Sequence, residues 1–371
     1  MGREPRGGGA AVRARPGAPK EIRRALLTWY RANRRDLPWR RSDDPYAIWI
    51  SEAMLQQTRV ETVIPYYERF LARFPDVRTL ASADLDDVLG VWAGLGYYSR
   101  ARNLRRAAQV VVDEFDAELP RDVDGLRSLP GVGPYTAGAV ASIAFDRPEP
   151  IVDGNVARVL ARLFDIREEV SQPAVARRLW EIAGELVVGR SPGDLNQALM
   201  ELGATLCVPR APRCLACPLL RQCAAYAAGD PQSLPVRGSK ARPRRIEATA
   251  ALVLRRGKAL AVRRPPSGLL GGLWELPGDD LIEKERPGAG IVRGLRERVG
   301  LSVSGPKRIG AVEHVFTHRI LRLHVFRCEA GSGRTRLSGF DSHRWLALGA
   351  LRELPHASVT AKALGLALGD A

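Results

Sequence analysis

The chain has 371 residues, enough for two or three domains, and 45% of them are hydrophobic, which supports packed cores. It has no apolar run of membrane-spanning length and no signal-peptide pattern, so a cytoplasmic protein without membrane attachment is expected. Its net charge of +16 points to a polyanionic partner, DNA or RNA before a membrane surface.

That charge is uneven. From Arg242 onward there are 23 Lys and Arg against 12 Asp and Glu, whereas the stretch between the tail and Arg242 is nearly neutral. A genome that favours arginine codons is the alternative source of such a bias. Residues 1–20 are rich in Gly, Arg and Pro and are expected to form a disordered basic tail. No lysine occurs between Lys20 and Lys240, and all five histidines lie at or beyond His314. The middle of the chain therefore has no imidazole and no side-chain amine, and carboxylates are its natural acids and bases.

In chain order, residues 21–34 have helical periodicity with a basic face. Trp39 beside Arg40 then offers a ring to stack on a base and a donor for its edge; an aromatic closing a helix end is the alternative. A long helical tract covers 47–70, with a break expected at Pro65. Glu52 sits inside its apolar run. If that face is buried, desolvation raises its pKa and poises it as a proton donor near neutrality; an outward-facing position is the other reading. Gln57 and Thr58 follow, suited to a groove or to a plain surface. Helices are expected at 80–92 and 100–115. Between them Gly94-Leu95-Gly96-Tyr97-Tyr98 is a glycine-framed tip that can wedge into a base stack or pack on a neighbouring helix.

The stretch 129–155 concentrates the signals. Leu129-Pro-Gly131-Val-Gly133 reads as a tight turn between helices, with both glycines free to adopt positive φ. Its amides open a helix over 134–144, begun by Pro134, and form an anion site suited to phosphate. Asp153-Gly-Asn155 precedes a helix at 156–164. A carboxylate is thus placed about twenty residues beyond a phosphate-holding turn. An N-cap is the alternative role for Asp153 or Asn155. Helices continue over 166–189 and 193–204, so the region is all-α.

Cys207, Cys214, Cys217 and Cys223 fall within seventeen residues. In a cytoplasmic protein this spacing indicates metal rather than disulfides. Zinc and a four-iron cluster both accept four thiolates. Cys328 lies in a strand pattern and reads as a small core residue. Residues 229–245 look like a linker. Beyond it come a hairpin over 248–263, a helix at 288–299, strands at 311–316 and 319–328, and a helix at 358–368, a separate α+β domain.

The first 230 residues resemble the helix-hairpin-helix, endonuclease III-like DNA glycosylase superfamily, and within it the adenine glycosylases. The matching text is Trp49-Ile-Ser-Glu52 through Gln57-Thr58, Gly94 through Arg100, Leu129 through Thr136, Val152 through Arg158, and the four cysteines. The resemblance implies a glycosylase domain over 21–228, with a helical barrel at about 47–144 and a cluster half at 21–46 and 145–228. It implies a [4Fe–4S] cluster on the four cysteines. Its bifunctional members carry a lysine where this chain has Tyr135, so hydrolysis without strand cleavage is expected. The expected substrate is double-stranded DNA with adenine opposite 8-oxoguanine or guanine, bound by a monomer. Trp39, Arg40 and Gln197 would hold the flipped adenine. Glu52 would protonate N7 and Asp153 would stabilise the oxocarbenium-like sugar, as paired carboxylates do in glycosidases. Asn155 and Tyr135 would orient the acid, the sugar or the water. Gln57, Thr58, Leu95, Tyr97, Gly131 and Gly133 would contact DNA.

Residues 246–371 resemble the Nudix-like lesion-recognition domain of the same enzymes, keeping Leu273-Trp-Glu-Leu-Pro-Gly278. In the stretch that should present several glutamates to Mg2+, Arg293 to Gly300, only Glu297 remains, so pyrophosphohydrolase activity is not expected. Phe316-Thr317-His318 matches the loop that reads 8-oxoguanine, with Thr in place of the usual Ser. The rival readings are an endonuclease III-type pyrimidine glycosylase/lyase, a non-catalytic iron–sulfur DNA sensor and a nucleotide-pool Nudix hydrolase.

Overall fold

A computed structural model describes residues 17–238, 242–316, 318–331 and 333–369. The chain packs as two compact units. One contains residues up to 57 together with 110–238; the other contains 58–109 together with the residues from 242.

The helices run α1 (Pro19–Asn33), α2 (Pro45–Leu55), α3 (Val60–Arg73), α4 (Val77–Ser82), α5 (Leu85–Trp92), α6 (Ser99–Glu114), α7 (Val123–Ser128), α8 (Pro134–Phe145), α9 (Gly154–Leu163), α10 (Pro173–Val187), α11 (Pro192–Thr205) and the one-turn α12 (Ala224–Ala227). Proline opens α1, α2, α8, α10 and α11, where its missing amide hydrogen costs nothing. Asp side chains cap α2, α4, α7 and α9. The core of the first unit joins Leu26 and Tyr30 of α1, Val159 and Leu160 of α9, Leu179 of α10 and Leu202 of α11.

Several boundaries differ from the expected ones. The helical tract over 47–70 breaks at 56–59, where Gln57 takes φ +57°, and Pro65 lies inside α3. A proline in the second turn removes one hydrogen bond but leaves the helix running. The helix expected from 166 begins only at Pro173, because a proline belongs in the first turn. The tail expected over 1–20 lies outside the described residues up to 16, while Pro19 and Lys20 already belong to α1. The linker expected over 229–245 is held to the first unit as far as 238: Leu234 is buried, its carbonyl accepts from Arg162 Nε at 2.9 Å, and the Val236 carbonyl accepts from Val170 N at 3.2 Å.

The second unit adds a seven-stranded mixed sheet: β1 (Arg244–Arg255), β2 (Lys258–Arg263), β3 (Trp274–Glu275), β4 (Gly278–Asp280), β5 (Val303–Val315), β6 (Arg319–Ala330) and β7 (Ser342–Leu346), with α13 (Pro287–Val299) and α14 (Ser358–Leu368). The order is β3-β2-β1-β6-β5, with β4 on β1 and β7 on β2; β1 and β6 run parallel and the other pairs antiparallel. Strand β1 is buried on both faces. Ala250, Leu252 and Leu254 share a core with Leu364 of α14, while Ala251 and Val253 share one with Ile291 and Leu295 of α13. That alternation is the two-residue period of a strand between layers. The two strands expected around residue 317 are the inner ends of the longer β5 and β6.

Candidate active site and DNA-facing turns

Glu52 lies in α2, whose residues from Tyr46 to Met54 are all buried. Its side chain is only 4% exposed. Burial pushes its carboxyl up to about 7, and the nearby Asp153 charge adds to the rise. A hydrogen bond from Tyr135 Oη to Glu52 Oε2 (2.9 Å) and the Arg40 charge oppose it. Tyr135 stands at the start of α8, which places its ring on α2 and its hydroxyl also 3.1 Å from Met200 Sδ. Next to it, Gln56 Nε2 donates to Thr136 Oγ1 at 3.0 Å.

Asp153 is the N-cap of α9. One carboxylate oxygen accepts from the amides of Asn155 (2.9 Å) and Val156 (2.7 Å), and the other from Asn155 Nδ2 (3.0 Å). Burial raises its carboxyl, and these three donors hold it down. The two readings of Asp153 are therefore compatible: the cap fixes the carboxylate in place while its charge reaches Glu52. Asn155 is positioned in turn by Arg158, whose Nη2 donates to Asn155 Oδ1 at 2.8 Å and to the Gly203 carbonyl at 2.8 Å. Gly203 admits this approach, since a Cβ there would stand 2.7 Å from Asn155 Cβ.

Trp39, Arg40 and Gln197 line one cleft of about 220 Å³, together with Asp43, Ile143 and Asp194. Arg40 lines this cleft while also bonding to its own protein. Its Nη2 is paired with Glu201 Oε2 (2.9 Å) and its Nη1 donates to the Arg35 carbonyl (3.1 Å), which fixes the guanidinium in place. Gln197 is held through its Oε1 by Tyr30 Oη at 3.0 Å. Glu201 is the residue the sequence reading missed. Burial alone would raise its carboxyl, but hydrogen bonds and charges from Arg35 and Arg40 overcome that and hold it at about 2. Its place four residues after Gln197, on the same face of α11, was the available signal.

In the turn between α7 and α8, Gly131 takes φ +81° and is exposed, whereas Gly133 is extended at φ −90° and caps α8. The expected freedom at positive φ is used at Gly131 alone. Gly133 serves by openness, because a Cβ there would meet nothing within 4 Å. In the second unit the tip between α5 and α6 has Gly94, Gly96 and Tyr97 at positive φ. It turns Leu95 inward, to 6% exposure, and Tyr97 outward, to 44%. Leu95 is thus a packing residue of the tip rather than its outward point. Arg100 Nη2 donates to Thr58 Oγ1 and to the Gly96 carbonyl, each at 3.1 Å, and its guanidinium lies 5.3 Å from the Tyr97 ring centroid. Gln57 is exposed and Thr58 half-buried. At the β5–β6 turn Phe316 N donates to the Arg319 carbonyl (2.8 Å), its ring meets His314 edge-on, and His318 is exposed. Thr317 lies outside the described residues.

The four cysteines follow α11. Cys207, Cys217 and Cys223 pack against the first core, and Arg162 ties the loop to α9 through Cys207 Sγ (3.3 Å) and the carbonyls of Val208 and Pro209. Burial pushes the Cys217 thiol up to about 12, with the other three cysteines adding to the rise. The sulfurs thus lie within reach of one another's charge. Among the described residues, no three Cys, His, Asp or Glu side chains close up around the space of a single ion.

In α13, Arg293 is surrounded by carboxylates. It pairs with Asp279 (2.8 Å), Glu285 (2.9 Å) and Glu297 (3.2 Å), and Arg298 takes the other oxygen of Asp279 (2.9 Å). Glu297, the one glutamate retained in the expected metal-binding stretch, is therefore neutralised from within the chain.

Residues 50–185 match the model of the HhH-GPD superfamily of base excision DNA repair proteins, and residues 249–366 match the NUDIX domain. The chain is 40% identical to the adenine DNA glycosylase of Mus musculus, covering 82% of this chain and 70% of that one. It is 39% identical to the adenine DNA glycosylase of Homo sapiens, covering 82% and 66%. Among solved structures it is similar to a thermostable thymine-DNA glycosylase, with 30% identity, a TM-score of 0.51, and coverage of 57% of this chain and 97% of that one. No described helix is long and apolar enough to cross a membrane.

Proposed function

Because this chain belongs to the adenine DNA glycosylases, N-glycosylases of base excision repair, we propose that it hydrolyses the glycosidic bond of adenine mispaired with 8-oxoguanine or guanine, without strand cleavage. The observation that carries the chemistry is the coupling of two unlike carboxyls. Glu52 is held near neutrality by burial, and Asp153 is held by three N–H donors at a helix start. Two carboxyls in different environments take the acid and the charge-stabilising roles respectively. Glu52 delivers its proton to N7 of the flipped adenine. The electrons of the C1′–N9 bond leave with the base, Asp153 stabilises the cationic sugar, and water adds at C1′. Tyr135 and Asn155 position the acid and Asp153. Trp39 and Gln197 receive the base, and Glu201 anchors Arg40 at the edge of their cleft.

The amides after Gly131 and Gly133 hold a phosphate at the start of α8. Gln57, Thr58 and Tyr97 probe the duplex, with Leu95 buried in the tip that carries Tyr97. Phe316, Thr317 and His318 read the opposite base from the second unit. Cys207, Cys214, Cys217 and Cys223 would hold a [4Fe–4S] cluster. Four half-buried thiols spread over a loop suit a multi-iron cluster better than one compact ion. When bound, it would cross-link the loop that Arg158 and Arg162 join to α9. A monomer on double-stranded DNA suffices for all of these roles.

Single-turnover incubation with a duplex containing one 8-oxoguanine·adenine pair tests the reaction. Nicks that appear only after alkali are expected. Nicks without alkali would mean lyase chemistry, and overturn the reading of Tyr135. A second measurement separates the two roles of Asp153. Asp153→Asn keeps the oxygen that accepts the Asn155 and Val156 amides but sets an NH2 group against Asn155 Nδ2, so a stability loss of about 1 kcal/mol is expected. Excision should fall by roughly a hundredfold or more, since the charge facing the sugar is gone. Loss of stability with excision intact would reduce Asp153 to a cap.

A further inference from the structure

Tyr98 is buried at 4% exposure, directly beside the exposed Tyr97. Its hydroxyl accepts from the Gly94 amide at 3.1 Å and donates to the His356 carbonyl at 3.1 Å. One end of this link is the first residue of the Gly94–Tyr97 tip. The other lies in the C-terminal domain, on the strap that leads into α14. That strap is fixed. The Pro355 carbonyl accepts from Trp274 N at 2.9 Å, residue 356 pairs with Trp274 in a parallel bridge, and the His356 ring is held on the Leu354 carbonyl. The helix that follows supplies Val359, Thr360 and Ala363 to the wall of a cavity also lined by Phe316.

We propose that Tyr98 is a positioning residue for lesion specificity. Its hydroxyl sets the tip that carries Tyr97 against the C-terminal domain that carries Phe316 and His318. The proposal rests on the reading of those residues given under Proposed function. Two flanking contacts join the same parts: Arg263 pairs with Asp86 at 2.7 Å, and Arg102 Nη1 donates to the Gly271 carbonyl at 2.7 Å. These restrain the domain, whereas Tyr98 reaches the tip itself. The tip is also held by Tyr66 Oη of α3 on the Ala93 carbonyl (2.9 Å) and by Trp92 Nε1 of α5 on the Gly96 carbonyl (3.0 Å). These bonds give its shape, and Tyr98 relates that shape to the lesion reader.

The test compares single-turnover excision rates on 8-oxoguanine·adenine and guanine·adenine duplexes for the wild type, Tyr98→Phe and Tyr66→Phe, with melting curves for each. Phe fills the same buried volume, so folding is retained. Losing a hydroxyl that satisfies two backbone groups should lower the ratio of the two rates by about tenfold in Tyr98→Phe. The guanine·adenine rate should fall by a smaller factor, since that duplex offers the lesion reader no 8-oxo group. Tyr66→Phe should slow both substrates alike and leave the ratio unchanged. An unchanged ratio in Tyr98→Phe, or an equal fall on both duplexes, overturns the role of Tyr98 alone. A wild-type ratio of one overturns lesion reading by the C-terminal domain, and this proposal with it.

Discussion

Glu52→Gln is expected to lose roughly 10²- to 10⁴-fold in single-turnover adenine excision, the range typical of a positioned general acid, while still binding the mismatched duplex. Gln keeps the size of the side chain and can still accept from Tyr135, so the loss isolates the proton. The wild-type rate should fall as pH rises through about 7, because only the protonated carboxyl donates. Stability should move the other way for the variant. A carboxyl whose folded pKa lies above its ordinary value of 4.5 binds more protons folded than unfolded between 4.5 and about 7. Its contribution is therefore greatest at low pH and declines through that window. At pH 8.5 the ionised Glu52 costs about 3 kcal/mol relative to an unperturbed group, a cost that Gln does not carry. Urea titrations should find Glu52→Gln more stable than the wild type at pH 8.5, and the gap closing by pH 5. Near-normal excision by the variant would remove Glu52 from the acid role.

Glu201→Leu should destabilise the first unit by about 3–5 kcal/mol, the usual cost of stripping one partner from a buried ion pair. Glu201 joins Arg35 and the nearly buried Arg40, and the latter would be left without its carboxylate. A second effect follows at Glu52. Arg40 already holds the Glu52 carboxyl down, and without Glu201 it loses the carboxylate that offsets its charge. The alkaline limb of the excision profile should therefore shift to lower pH. Denaturation and a pH–rate profile on one preparation check both. A profile that stays in place would show that Glu201 serves stability alone.

Much of this site could be read from the chain because its signals are local. Apolar neighbours on both sides of Glu52 announced a buried carboxyl, and Asp153-Gly-Asn155 announced a helix start. The sequence offered capping and chemistry at Asp153 as alternatives, and the geometry lets one side chain do both. What escaped depends on partners far along the chain. Arg40 has a correct neighbourhood in sequence, yet its guanidinium is claimed by Glu201, 161 residues away. No role for the Arg158 and Arg162 side chains could be read from the chain, and both are buried on carbonyls of the cysteine loop. The Gly94–Tyr97 tip was recognisable as a turn. Which of Leu95 and Tyr97 points out depends on the backbone choices at Gly94, Gly96 and Tyr97, which residue types alone do not set. The fold behaved likewise. The helical and α+β parts followed from periodicity, whereas β3, β4 and β7 are too short to show a period.

Arg293 gives the carboxylates around α13 a counter-ion that is part of the chain. A dissolved divalent ion holds a group of carboxylates together only while its concentration exceeds its dissociation constant. A guanidinium anchored on α13 among Asp279, Glu285 and Glu297 is a counter-ion that cannot diffuse away, and its local concentration is set by the tether rather than by the medium. The three acids, which repel one another when bare, are thereby held as a structural knot at any magnesium level. A domain built this way stays assembled through swings in cation content that would load or empty a site made of the same carboxylates.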